Sequence, residues 1–372
     1  MAILIKNGRV IDPKNNVDEI RDVYIENGKI EGVCPADEII DATGKIVAPG
    51  LVDMHCHLRE PGQEYKEDIA SGTKSAAAGG FTSIACMPNT IPSIDNAEVV
   101  RFIKSRAADV NVYVIGAITK GQNGEELAAI DEMIAEGIIA ISDDGKWVQN
   151  HELMLNALKF GLPVISHCEP EEEAIEREIA LAESHGKSVH IAHVSLKGSV
   201  ELIRQAKARG VKVTCETCPQ YFSLPEGTYK INPPLATPGD IEAIREGLRD
   251  GTIDVIATDH APHHDDEKKG EWDKQCFGMI GFETAFGLGV TYSGLTINEL
   301  ICKMTCAPSG ILRINKGTLD IGADADIIIA DIDKEYVVDV STFKSKAKNS
   351  PFDGYSLKGR IEVTIVGGRI CQ

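Results

Sequence analysis

Apolar and polar positions alternate at the start of the chain and do so again only at its far end. From Asp22 to Val33 the alternation runs through Asn27-Gly28, the strongest short hairpin signal, and Asn7-Gly8 supplies a second turn of the same kind. The first 50 residues therefore read as short β-strands, and similar strands return at 325–330 and 360–370. Neither end could bury its apolar face alone. The pattern predicts one small β-sandwich domain built from both chain ends, residues 1–50 plus 317–372, with residues 51–316 inserted into it.

The insertion has a different rhythm. Eight short apolar runs, near 51–55, 82–87, 111–116, 138–142, 162–167, 189–193, 211–215 and 254–258, are separated by stretches with helical periodicity. The clearest of these helices are expected at 67–78, 125–135, 171–183, 199–208 and 240–248. Eight strand–helix units between residues 51 and 316 match an α/β fold of the (β/α)8 TIM-barrel type, which takes about 250 residues. An open doubly wound sheet fits less well, because no G-x-G-x-x-G opens a helix. Gly79-Gly80 reads as a helix C-cap.

In such a barrel the chemistry lies at the carboxyl ends of the strands, and the residues that end these runs are not neutral ones. Run one ends in His55-Cys-His57, run four in Asp143-Asp144, run five in His167, run six in His193 and run eight in Asp259. His55 and His57, two apart on a strand, face the same side. Counting His263, five of the ten histidines lie at or just past a predicted strand end. Imidazoles with carboxylates suit zinc or another first-row divalent ion, and this many ligands could hold one ion or a bridged pair. His185 and His190 flank a helix end and a strand start at the opposite rim, and His151 starts a helix, so none of the three is assigned a role. Cys215-x-x-Cys218 lacks the second ligand pair of a zinc knuckle and reads as two core thiols.

Composition narrows the partners. A formal charge of −19 repels phosphate backbones and anionic lipid headgroups, so neither nucleic acid nor membrane is expected. The 43% of hydrophobic residues include few aromatics, in keeping with a core of Ala, Ile, Val and Leu. No apolar run approaches the roughly 20 residues that cross a bilayer, and the amino terminus lacks signal-peptide order, so a cytoplasmic location with reduced cysteines is expected.

The run His55-Cys-His-Leu-Arg-Glu-Pro-Gly-Gln-Glu-Tyr-Lys-Glu-Asp68 is more specific than any of this. With Ala77-Ala-Gly-Gly-Phe-Thr82, Met87-Pro-Asn-Thr90, His167-Cys-Glu169, His193-Val-Ser195, Asn232-Pro-Pro-Leu235, Thr258-Asp-His-Ala-Pro-His263, Gly281-Phe-Glu-Thr284 and Gly322-Ala-Asp-Ala-Asp326, it resembles the dihydroorotases of the amidohydrolase superfamily over nearly the whole chain. The resemblance implies a metal centre of His55, His57, His167, His193 and Asp259, holding one or two divalent ions, zinc by expectation. Many relatives bridge two ions with a carboxylated lysine on strand four, but 137–142 contains no lysine. Similar dihydroorotases use the second Asp of a Ser/Thr-Asp-Asp-Gly motif instead, which implies Asp144, while Lys146 lies past the strand end. A metal-bound hydroxide would attack the ring amide, with Asp259 as general base and then acid.

The resemblance also implies a small-molecule substrate, dihydroorotate or N-carbamoyl-L-aspartate, whose carboxylate needs a clamp. Arg59 offers the planar two-toothed donor set that a carboxylate prefers. Asn89 and His263 would complete the clamp, and Asn232 with backbone near Gly278 would hold the ring amide. Two spellings depart from the pattern. Cys218-Pro-Gln-Tyr221 is nearer to hydantoinases, and Ala236 stands where Arg is common. A hydantoinase- or allantoinase-type cyclic amidase is therefore the alternative enzyme. A silent scaffold for aspartate carbamoyltransferase is the non-enzymatic one. As partners, a homodimer and an association with that transferase are both open.

Overall fold

The computed structural model describes residues 2–106 and 108–371. Sixteen strands form two sheets. The first sheet joins β1 (Ala2–Asp12), β2 (Val17–Glu26), β3 (Lys29–Glu31), β4 (Glu38–Asp41) and β5 (Ile46–Pro49). From the far end of the chain it takes β14 (Ile327–Val337), β15 (Ser356–Val366) and β16 (Arg369–Ile370), in the order β16-β15-β14-β5-β1-β2-β3 with β4 on β1. The two chain ends thus meet where β14 pairs antiparallel with β5. The hairpin at Asn27-Gly28 forms between β2 and β3. Asn7-Gly8 is not a turn: β1 runs straight through it with a register shift opposite β2, so a φ of 61° at Asn7 makes a bulge. Ile3, Ile5, Val10, Val47, Ile327, Ile329 and Ile365 bury one face of this sheet in a core of their own.

The second sheet is the barrel. Its strands are β6 (Leu51–Cys56), β7 (Phe81–Cys86), β8 (Asn111–Gly116), β9 (Ala140–Ser142), β10 (Val164–Ser166), β11 (Val189–Ile191), β12 (Val213–Thr217) and β13 (Val255–Ile256), all parallel neighbours in sequence order. Closure from β13 back to β6 rests on a single bridge, Cys56 to His260, with His57 N donating to His260 O at 2.9 Å. Met54, Ala85, Ile115, Ala140, Ile165, Ala192 and Val255 fill the interior, so the barrel is a packed core closed below by Leu312.

The helices are α1 (Ile69–Ala78), α2 (Ala97–Lys104), α3 (Ile130–Ala135), α4 (His151–Ala157), α5 (Glu171–His185), α6 (Lys197–Ala208), α7 (Pro238–Asp250), α8 (Phe282–Tyr292), α9 (Ile297–Met304) and α10 (Cys306–Leu312). Four expected helices are present within a few residues. The fifth, 125–135, keeps only its second half as α3, because Glu126 and Ala128 pair with backbone at Lys120 and Ile118 instead of coiling. Gly79-Gly80 ends α1; a Cβ at Gly79 would lie 2.1 Å from Phe282 O, so the position also lets α8 approach. Between β14 and β15 the chain leaves the first sheet. Val338, Val340 and Phe352 pack there with Tyr221, Ile231 and Met279 above the barrel. All ten cysteines are free thiols, and none of the described helices is long and apolar enough to cross a membrane.

Candidate metal centre and active site

Each strand end delivers its residue to one rim. His55, on β6, brings Nε2 to 3.5 Å from Asp144 and 3.6 Å from Asp259. His57 follows immediately, with Nε2 3.1 Å from Asp259 Oδ1 and Nδ1 3.8 Å from Asp144 Oδ2. His167, after β10, lies 2.9 Å from Asp144 Oδ1, and the rings of His167 and His193 are 4.8 Å apart. All six residues are buried. Ligand atoms of His55, His167 and His193 lie within 4.8 Å of one another, as do those of His55, His57 and Asp144.

The two aspartates after β9 point to opposite sides. Asp143 accepts from Ile118 N and Thr119 N at 2.9 Å each and from the Thr119 hydroxyl, which leaves Asp144 alone toward the histidines. Lys146 turns away and donates to Gln122 O at 2.8 Å.

The cluster is electrostatically unusual. Burial alone would raise the Asp144 carboxyl, yet His57 and His167 outweigh it and hold it well below the ordinary range. Burial pushes His193 down to about 3, with His167 and His55 adding to the effect. His167 Nε2 is buried, and the one carboxylate within 4 Å of it among the described residues is that of Asp144. Four imidazoles and two carboxylates facing one another, with ligand atoms of three residues at a time within 4.8 Å, fit a divalent cation.

The backbone is bent to make this convergence. Arg59, His193 and Asp259 adopt φ of 61°, 31° and 47°, in the left-handed region that costs a non-glycine residue about 1–2 kcal/mol. Neighbouring bonds hold Asp259 there. Thr258 donates N–H and Oγ1–H to Asp53 at 3.0 and 2.5 Å, and the Thr258 hydroxyl accepts from His260 N at 2.9 Å.

Beside the cluster opens a cavity of about 1050 Å³, whose lining includes the cluster together with Arg59, Asn89, Asn232, His263 and Gly278. Arg59 is 7% exposed; its Nε donates to Pro262 O at 3.1 Å and Nη2 lies 3.4 Å from His263 Nε2. Among the described residues no carboxylate lies within 4 Å of this guanidinium. Burial pushes His263 down to about 3, aided by the charges of Arg59 and Lys66, so its ring is neutral. His263, Glu267 and Cys276 also group at ligand distance, but Lys66 Nζ lies 3.4 Å from His263 Nδ1 and 3.1 Å from Glu267, so a cation is already in place.

Asn89 lines the cavity with Arg59 and points its amide oxygen at His57 Nδ1, 2.9 Å away, so it braces the cluster through that oxygen. One expected contact differs. Gly278 has its N–H on Lys230 O and its carbonyl on Asn349 Nδ2, at 3.2 and 3.1 Å, so its N–H is not free for a ring amide. Asn232 does face the cavity and donates to Glu169 at 3.2 Å. Tyr221 is buried, with its hydroxyl on Pro233 O at 2.9 Å, so the Cys218–Tyr221 spelling supports the Asn232 loop from behind.

Comparison with known proteins agrees with this geometry. The sequence model of the amidohydrolase family matches residues 46–371. A dihydroorotase of Acetivibrio thermocellus is 51% identical, over 99% of this chain and 98% of its own length, and one of Ruminiclostridium cellulolyticum is 48% identical over the same shares. The chain belongs to the amidohydrolase family, in its dihydroorotase group. It is thus a hydrolase of a metal-dependent family, and the His-rich cluster is its metal-binding site. An L-hydantoinase (dihydropyrimidinase) from Arthrobacter aurescens superposes with a TM-score of 0.91 at 26% identity, covering 99% of this chain and 95% of that one. A dihydropyrimidinase from Brevibacillus agri superposes at 0.87 and, at 22% identity, shares the fold.

Several residues of this amidohydrolase site escape the sequence reading. Glu216, fully buried on β12, accepts from His55 Nδ1 at 2.5 Å, and His190 Nε2 lies 3.3 Å from its other oxygen. His190 is therefore inside the barrel below the cluster, although its position at a strand start gave it no role. Asn349, from the segment between β14 and β15, accepts from His263 N and donates to Ala261 O, both at 3.1 Å. Glu216 stands directly after the run 211–215, a strand-end signal, whereas only the pairing of β11 with β12 brings in His190 and only the return of the distal segment brings in Asn349.

Proposed function

We propose that the chain is a metal-dependent dihydroorotase, which interconverts N-carbamoyl-L-aspartate and L-dihydroorotate in de novo pyrimidine biosynthesis. The observation that carries the substrate is Arg59: a buried guanidinium without a carboxylate partner, in the same cavity as the ligand cluster. A buried charge without a counter-ion is costly, and the substrate carboxylate is the group that completes it.

In this reading His55, His57, Asp144, His167, His193 and Asp259 would hold one or two zinc ions. A bound divalent ion supplies water that ionises near neutral pH and polarises the scissile carbonyl. Arg59, with His263 at its edge, grips the carboxylate and places the ring amide over the cluster. Asn232 steadies the ring. Asp259 takes the proton of the attacking water and passes it to the departing ring nitrogen; in the ring-closing direction the same carboxylate works in reverse. Asp259 is suited to this because His57 and His55 counter its burial and keep it ionised.

A hydantoinase-type reading draws on the superposed structures but leaves Arg59 unpaired, and a silent scaffold has no need of six competent ligand positions. The reading further takes residues 51–316 as the catalytic domain and 1–50 plus 317–372 as the sandwich domain, in a cytoplasmic protein. Light scattering distinguishes monomer from homodimer, and co-elution with aspartate carbamoyltransferase tests that assembly. For the activity itself, zinc-replete protein is expected to open dihydroorotate and to stop on chelation, with zinc restoring turnover. Full activity in rigorously metal-free protein would defeat the reading.

A further inference from the structure

Beneath the ligand cluster runs a chain of polar side chains that no step above uses. His55 Nδ1 lies 2.5 Å from Glu216 Oε1, Glu216 Oε2 lies 3.3 Å from His190 Nε2, and His190 Nδ1 lies 2.9 Å from the Thr214 hydroxyl. His55, Glu216 and His190 are 1%, 0% and 2% exposed, so no solvent competes for the two bonds to Glu216. The chain crosses the barrel, since His190 and Thr214 line a separate cavity of about 540 Å³.

Only one arrangement of protons satisfies every bond with a neutral His190. An ionised carboxylate can only accept, so His55 donates through Nδ1–H and His190 through Nε2–H. His190 Nδ1 is then bare and accepts from the Thr214 hydroxyl. His55 is left with Nε2 facing Asp144 and Asp259. β11 and β12 set the spacing, because His190 and Thr214 are register partners and Glu216 stands two residues further along the same face.

We infer that Glu216 and His190 are positioning residues for the metal centre: Glu216 holds His55 in the Nδ1–H tautomer and orientation that present Nε2 to the ion, and His190 holds Glu216. The inference rests on the reading of His55 as a ligand. A carboxylate behind a ligating imidazole orients the ring and raises its basicity, and removing such a partner weakens metal binding 10- to 100-fold. His190 acts one bond further out, so its loss should cost less than that of Glu216.

The test is metal affinity, measured by competition of the metal-free protein with a chromogenic chelator for Zn²⁺ and Co²⁺. Glu216→Gln, which keeps shape and loses charge, should bind about 10- to 100-fold more weakly, with an altered Co²⁺ absorption spectrum. His190→Gln can still donate to Glu216 and should stay within about threefold of wild type, whereas His190→Leu should lose roughly tenfold. Glu362→Gln, a carboxylate of the first sheet paired with Lys45 and Lys334, should leave affinity unchanged. Wild-type affinity and spectrum in Glu216→Gln would overturn the inference. If that variant fails to fold, equal affinities in His190→Gln and His190→Leu would overturn it as well. A wild-type protein that binds no divalent ion would instead overturn the ligand reading beneath it.

Discussion

Asp143 and Asp144 are adjacent and have opposite surroundings, a difference that strand alternation anticipates and only side-chain partners resolve. Asp144→Ala should abolish or sharply reduce bound zinc in elemental analysis. Asp143→Ala should keep its zinc but lose about 1–3 kcal/mol of stability in denaturant titration, since Thr119 N would be left buried and unpaired. The reverse ranking would move the ligand assignment to Asp143. Arg59 is a comparable case. Its position two residues past His57 is legible in the sequence; its burial without a carboxylate is not. Arg59→Met should keep the metal and lose roughly 3 kcal/mol of transition-state binding, about two orders of magnitude in kcat/KM for dihydroorotate. Arg59→Lys should recover only part, because an ammonium lacks the planar fork. Glu216 directly follows the run 211–215, the same strand-end position as Asp143 and Asp259, but its partner His190 is known only once the neighbouring strand is placed.

Strands were the most legible elements, because eight apolar runs identify the barrel and the five that end in His or Asp mark its working rim. Elements went astray where backbone pairing overrode local preference, as at the bulge of Asn7-Gly8 and in the uncoiled first half of 125–135. The loops after β6 and β7 carry Arg59 and Asn89, and they are joined by Ile91 N donating to Pro61 O at 3.0 Å. Gly62 makes that contact feasible. Its φ is +99°, and a Cβ there would lie 2.1 Å from Ile91 O. Gly62→Ala should therefore destabilise by more than about 1 kcal/mol, seen as a lower Tm. It should also raise KM for dihydroorotate while leaving zinc content intact, because the clamp moves and the strand-end ligands do not. An unchanged KM would show that the two loops are independent.

At the scale of the whole molecule, alternation at both termini forecast a shared sheet, whereas the detour of the chain between β14 and β15 over the barrel has no local signature. The sheet is also stapled by charge. Lys45 and Lys334 hold the Glu362 carboxyl below its usual range, and Lys29 and Lys316 do the same for Asp324. A carboxyl depressed in the folded state contributes stability above its unfolded pKa, about 4, and loses that contribution as pH falls through the lower folded value. Tm should thus fall on acidification below about pH 4, and Glu362→Gln should flatten part of that fall; an equal slope in the variant would assign the acid sensitivity elsewhere. The central claim, that a metal cluster and an unpaired guanidinium together select a carboxylate-bearing cyclic amide, is tested most directly by kcat/KM for dihydroorotate, hydantoin and allantoin on one zinc-replete preparation. The account predicts that dihydroorotate is preferred by about two orders of magnitude, the worth of the Arg59 contact. Equal or faster turnover of hydantoin or allantoin would contradict it.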